Sequence, residues 1–253
     1  MKTFLLICSI ATALPDTCLA DEAVKERLEA IQKEGTQKGK LRLVVIREDL
    51  EALERGADDE LLVRLGRHLH FLSSDDYRLR ELQEEAAPLR TKVRDALLRT
   101  PGHAEAQERR FLSLRAEVLA GKRTWNDLHF AGVELHRALK HLPSPETIRV
   151  LGRMLEDTKG ATAETHFPNQ PTDAINVPKS AAEYAVIALH HLPIQQPPVP
   201  RNKVVEGEVV SGGLQHHQAW LHWWMGVKES ERTYRFEGSP VVYSYDGANP
   251  GGK

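Results

Sequence analysis

The chain has 253 residues, and 34 lysine and arginine side chains nearly balance 36 aspartates and glutamates, leaving a formal charge of −2. Acids and bases interleave, so there is no basic stripe of the kind a nucleic-acid surface carries, and alternating signs mark solvated helix faces. Both cysteines, Cys8 and Cys18, fall in the first twenty residues; the remainder has no disulfide, thiolate ligand or cysteine nucleophile.

Residues 1–20 read as an export signal. Lys2 supplies the positive start, Phe4-Leu5-Leu6-Ile7 begins a short apolar core, and Cys18-Leu19-Ala20 offers small residues around a cut after Ala20. The expected location is therefore periplasmic or extracellular. A lipid-modified Cys18 is the alternative, with Pro15-Asp16-Thr17 a poor lead-in for it. The apolar run is shorter than the ~20 residues of a spanning helix. No transmembrane segment is expected in the mature chain.

Residues 21–121 read as an N-terminal helical region. Asp21 to Glu34 is a short amphipathic helix (Val24, Leu28, Ile31) that Gly35 should end, with Gly39 as a separator. Leu41 to Ile46 alternates like a strand, but Leu50 and Leu53 continue it at helical spacing up to Gly56, which favours one helix. Asp58 then caps a helix with Leu61, Leu62, Leu65, Leu69 and Leu72 on one face. Ser73 or Ser74 starts the next, whose stripe is Leu82, Ala86, Leu89, Val93 and Leu97; Pro88 should kink or split it. After Thr100-Pro101-Gly102, a helix from about His103 to Ala120 buries Phe111, Leu114 and Val118.

Residues 122–195 hold three helices with their own start and stop signals. Thr124-Trp125-Asn126-Asp127 and Ser180 with Glu183 are capping boxes, and Ser144-Pro145 pairs an N-cap residue with an N1 proline. The stripes are Leu128, Ala131, Leu135, Leu139, Leu142, then Ile148, Leu151, Leu155, then Ala185, Ala188, Leu189, Leu192. The short break at Pro143 predicts that the first two fold back as an antiparallel hairpin. A long loop over 160–178 carries His166 and Phe167, and loops of that length are often functional. A Pro/Gly linker (196–213) leads to a tail at 214–246, where a helix with Trp220, Trp223 and Trp224 precedes two strand-like runs, Thr233–Phe236 and Val241–Tyr245. Residues 247–253 read as a disordered end.

The run Pro143-Ser144-Pro145-Glu146-Thr147-Ile148-Arg149-Val150-Leu151-Gly152, with Met154-Leu155-Glu156-Asp157, resembles a HEAT-type repeat. So does Ser180-Ala181-Ala182-Glu183-Tyr184-Ala185-Val186-Ile187-Ala188-Leu189. The likeness covers roughly 124–192. As a whole the chain resembles exported bacterial proteins of unknown function with HEAT-like segments. The resemblance implies a mainly α fold, an antiparallel helix-hairpin array ending here in a small C-terminal helix plus β-hairpin. It also implies a binding or scaffolding role with a protein partner, and it brings no catalytic residue.

The reactive side chains support that role. Histidine is the only enriched type, and no His-Glu-x-x-His occurs. His216, His217 and His222 are the weak candidates for a histidine-based metal protein or hydrolase, joined by His166 if folding gathers them. Gly-x-Ser-x-Gly and Walker patterns are absent, so no enzyme and no cofactor are expected. Trp220, Trp223 and Trp224 with Phe236, Tyr243 and Tyr245 leave two arrangements open. They form either a local core or, with the His166–Phe167 loop, an exposed patch for a protein partner or an envelope glycan.

Overall fold

The computed structural model describes residues 16–74, 76–158, 180–200 and 213–248. Most of the stretch expected as an export signal, the expected 160–178 loop with His166 and Phe167, much of the expected linker and the chain end from 249 lie outside the described residues. Eight helices are described: α1 (Asp16–Arg55), α2 (Asp59–Ser73), α3 (Gln83–Arg99), α4 (His103–Leu119), α5 (Trp125–Leu139), α6 (Pro145–Glu156), α7 (Ala181–His191) and α8 (Gly213–Lys228). A single 3-10 turn, Tyr77–Leu79, and a two-stranded hairpin, β1 (Tyr243–Ser244) with β2 (Gly247–Ala248), complete them.

The helix starts follow local chemistry. Each first turn has amides with no partner inside the helix, and a side-chain oxygen three residues upstream can reach one of them. The Asp58 carboxylate accepts from the Leu61 amide at 2.7 Å, and the Ser144 hydroxyl from the Thr147 amide at 3.0 Å. Thr124/Asp127 and Ser180/Glu183 form reciprocal capping boxes.

Three expectations are corrected. First, α1 runs unbroken through Gly35 and Gly39. Gly39 is a contact point: a Cβ there would lie 2.4 Å from the Arg78 carbonyl oxygen and 2.9 Å from the Leu82 side chain. Its missing side chain lets α1 press on the 3-10 turn. Second, Ser74 ends α2, its amide donating to the Phe71 carbonyl, and α3 begins only at Gln83. Pro88 does not split α3. It and Glu84, whose carbonyl loses its donor, both face solvent, where water can satisfy the freed group.

Third, α5 and α6 are consecutive but do not lie side by side. α5 packs along α4, and α6 along α7. The pairs then stack with α4 on α6 and α5 on α7. Contacts climbing both helices together show that α4 and α6 run parallel: His103 meets Ser144, Glu108 meets Arg153, and Arg115 meets Asp157. So do α5 and α2, where Arg67 reaches Glu134 and His70 stacks on His141. The array is one of helix hairpins, shifted by one helix from the expected pairing. The reason is that α5 is buried on two sides: Leu128, Leu135 and Leu139 form one inward stripe and Ala131 and Ala138 another beside it, with α2, α4 and α7 packed around them.

Two glycines allow the closest approaches in the core. Gly132 of α5 lies under the ring of Tyr184 from α7, and Gly152 of α6 under the indole of Trp224 from α8. Tyr184 and Trp224 are each 1% exposed. Across the stack, Glu146 of α6 accepts from the amides of Gly102, Ala104 and Glu105, at 2.9, 2.6 and 3.1 Å. One pair thus caps the first turn of its neighbour, whose own N-cap, Gly102, has no side chain to do so. Among the described residues, no helix is long and apolar enough to cross a membrane.

Candidate functional site: the aromatic cap and the histidine row

The tail is built on α8, which covers α6 and α7. Trp220, Trp223 and Trp224 are 0%, 3% and 1% exposed, so they are core and not surface anchors. Trp220 and Trp223 meet edge to face at 5.5 Å, and Trp223 meets Tyr234 at 5.7 Å. The Trp224 indole N–H donates to Glu156 at 2.7 Å, and Lys228 reaches both oxygens of that carboxylate at 2.8 Å. Burial pushes the Glu156 carboxyl up, but these two partners outweigh it and hold it below its ordinary value. The aromatic arrangement that the packing realises is a core; only Tyr243 and Tyr245 are partly exposed.

The two expected strand-like runs do meet about the turn at 237–240, but over a single residue pair. Tyr234 and Tyr243 exchange both backbone hydrogen bonds, at 3.0 and 2.8 Å, as one isolated bridge. The regular hairpin is Tyr243–Ser244 against Gly247–Ala248, around a turn at Tyr245-Asp246. The other edge is taken by the segment after α7: Ile194 bridges Phe236, and Gln195 donates to the Arg235 carbonyl at 2.8 Å. Residues 193–195, just ahead of the expected linker, are the support the short hairpin needs. Nothing local in Pro193-Ile194-Gln195 signals that partner.

The three candidate metal histidines do not converge. A ring nitrogen of His217 is 2.8 Å from the Leu155 carbonyl, the His216 ring stacks on His190 at 6.4 Å, and His222 is exposed. Among the described residues no group of three or more metal-type side chains gathers about a point. A row forms instead where the parallel helices end. His70 closes α2, His141 follows α5, and His190 and His191 close α7. The His70 and His141 rings are 6.2 Å apart and nearly parallel, while His190 contacts both His191 and His216 at 6.4 Å.

Sequence spacing also missed a constellation with the order of a catalytic triad. The Nε2 atom of His103 is 3.0 Å from the Ser144 hydroxyl, and its Nδ1 is 3.0 Å from the Thr100 carbonyl and 3.4 Å from Glu146. Forty-one residues separate the serine from the histidine, so no motif could reveal it. A nucleophile needs a free path to substrate and a base able to take its proton. Ser144 instead caps α6, also hydrogen-bonds the Thr147 hydroxyl at 3.0 Å, and is 8% exposed beside a 2% exposed His103. It is a structural junction between repeats. A similar junction joins α1 to α2, where Asp49 accepts two hydrogen bonds from Arg64 and one contact from His68.

No known family, curated protein or solved structure matches the chain. The chemistry must therefore be read from its own surface. Two hollows lie on the surface of the described residues. One, of about 440 Å³, lies along α1 beside Glu81; the other, of about 520 Å³, lies between α1 and α3 and includes Leu50, Leu53, Lys92 and Arg99. Neither holds a histidine. Large exposed apolar side chains lie on α4 (Leu112 and Leu119), on α5 (Phe130) and on α1, where Leu41 is 67% exposed and Val44 and Val45 lie on the same outward face. These last three are spaced i, i+3 and i+4, between the inward-facing Leu43 and Ile46.

Proposed function

We propose that this is a non-catalytic scaffold or protein-binding module of the HEAT-like helical-repeat type, exported to the periplasm or beyond. The observation that carries the reading is a stacked set of helix pairs whose own core is filled, next to an outward apolar face on α1 that the other described residues do not cover. Leu41, Val44 and Val45 are large apolar groups left in water on a helix that already buries Leu43 and Ile46 inward. Helix-in-groove recognition uses anchors at this spacing. The export part rests on the signal-like residues 1–20.

The test is capture from envelope extracts with crosslinking, comparing the wild type with Leu41→Lys/Val45→Lys. A specific protein recovered by the wild type and lost with the double variant, at unchanged helical content, supports the reading. A hydrolytic activity abolished by replacing one His or Asp overturns it. Fractionation of expressing cells with N-terminal sequencing tests export, the expected new terminus being Asp21.

A further inference from the structure

We propose that the His70–His141 pair makes the seam between α2 and α5 an acid-operated joint, closed while both rings are neutral and loosened when they take up protons. The inference stands apart from the proposed function. The geometry comes first. The two rings stack across the seam with centroids 6.2 Å apart and planes 23° from parallel. Nδ1 of His70 and Nε2 of His141 are buried with no hydrogen-bond partner among the described residues. A second proton on either ring would therefore have no acceptor in place to receive it.

Among the described residues, the charged groups that act on the pair are cations, joined by a further imidazole. His70 feels Arg137 and Lys140 from α5 and its junction, and Arg42 from α1. His141 feels Lys140, His70, His191 at the end of α7, and Arg90 from α3. The carboxylate on this stretch of α5, Glu134, is already engaged by Arg67 of α2 at 2.7 Å. The other acid near Arg42, Asp76, is held by Arg78. Among the described residues neither ring has an ion pair with a carboxylate, in contrast to His68 with Asp49 and His103 with Glu146. Burial first, and these cations second, bring both imidazoles from 6.5 down to about 4.

The sign follows from linkage. A base whose pKa is depressed in the folded state binds more protons when released, so stability falls as pH drops from about 6.5 towards 4 and levels off below. Between pH 7 and pH 5 ordinary carboxylates remain ionised, so this window isolates the imidazoles. Each one whose pKa is restored on release should raise the opening constant on the order of tenfold over that window.

The test uses the whole chain. NMR titration of the imidazole ring protons is expected to show His70 and His141 protonating well below 6.5. Urea unfolding at pH 7 and pH 5 is expected to show a destabilisation in the wild type that His70→Gln/His141→Gln reduces, the part left including His68, which burial also holds below its ordinary value. A ring titrating at or above 6.5, or a double variant with the same pH response as the wild type, overturns the proposal. If the double variant does not fold, the wild-type titration and the single His141→Gln variant decide in the same way.

Discussion

Replacing Gly152 by alanine tests the packing of the aromatic cap most directly. An alanine Cβ at this point of α6 would lie 2.2 Å from Cδ2 of Trp224 and 2.4 Å from Cε2 and Cε3. Ordinary contact is about 3.5–4.0 Å, so either the indole or α6 must retreat by more than 1 Å. The indole has little freedom. It is 1% exposed and tied to Glu156 through its N–H, while Glu156 is held in turn by Lys228. Overpacking a rigid site costs about 1–3 kcal/mol, and more when no rotamer escapes. Alanine recovers about 0.5–1 kcal/mol of helix propensity, so the net loss expected is about 2 kcal/mol. For a chain of this size that lowers the midpoint of thermal unfolding by roughly 4–8 °C. Gly226 of α8 is the matched control, since its added Cβ would meet only the Arg232 side chain at 3.4 Å or beyond. Gly226→Ala should be neutral or slightly stabilising. Far-UV dichroism with temperature and urea measures both. Equal or greater stability in Gly152→Ala would refute the close approach of α6 and α8.

Four further outcomes follow from other contacts of the fold. Glu146→Ala removes the acceptor for three first-turn amides of α4 and should cost about 2–3 kcal/mol, read from urea midpoints. Breaking the exposed Arg47–Glu85 pair with Glu85→Ala should leave the midpoint nearly unchanged. Ser144→Ala should cost about 1 kcal/mol for the lost cap, and somewhat more because His103 loses its partner; a serine-directed phosphonate should label neither protein. Ending the chain at residue 212 removes Trp220, Trp223 and Trp224 from the core and uncovers Gly152 and Leu155. The truncated chain should lose its cooperative unfolding transition, whereas a surface tail would leave that transition intact.

How much could be read in advance depends on the distance between the partners. Seven of the helices have a cap, stripe or break visible in the sequence, because the groups that start and stop a helix lie within four residues of each other. Asp58, Thr124, Ser144 and Ser180 all cap where their spacing places them. Glycine was misread for the same reason. In isolation Gly35 and Gly39 look like stops, and only the Arg78 carbonyl against Gly39 explains an unbroken α1. The candidate site was legible in part. The tail aromatics drew attention as a group, but whether they faced water was undecided until α6 and α7 supplied the surface that buries them.

Residue pattern alone determined that this chain is helical, where most helices begin, and which faces of α2 to α7 turn inward, since each of those is an equilibrium among near neighbours; on α1 the expected stripe fails, with Leu28 and Ile31 exposed. Tertiary structure decided which helix lies beside which, that α4 and not α6 accompanies α5, and that His70 and His141 stack although 71 positions apart. The physical reason is that an apolar stripe is indifferent to the identity of its partner. Only the simultaneous fit of every stripe, with Gly132 and Gly152 admitting two rings and Glu146 reaching back to α4, selects one stacking over the others.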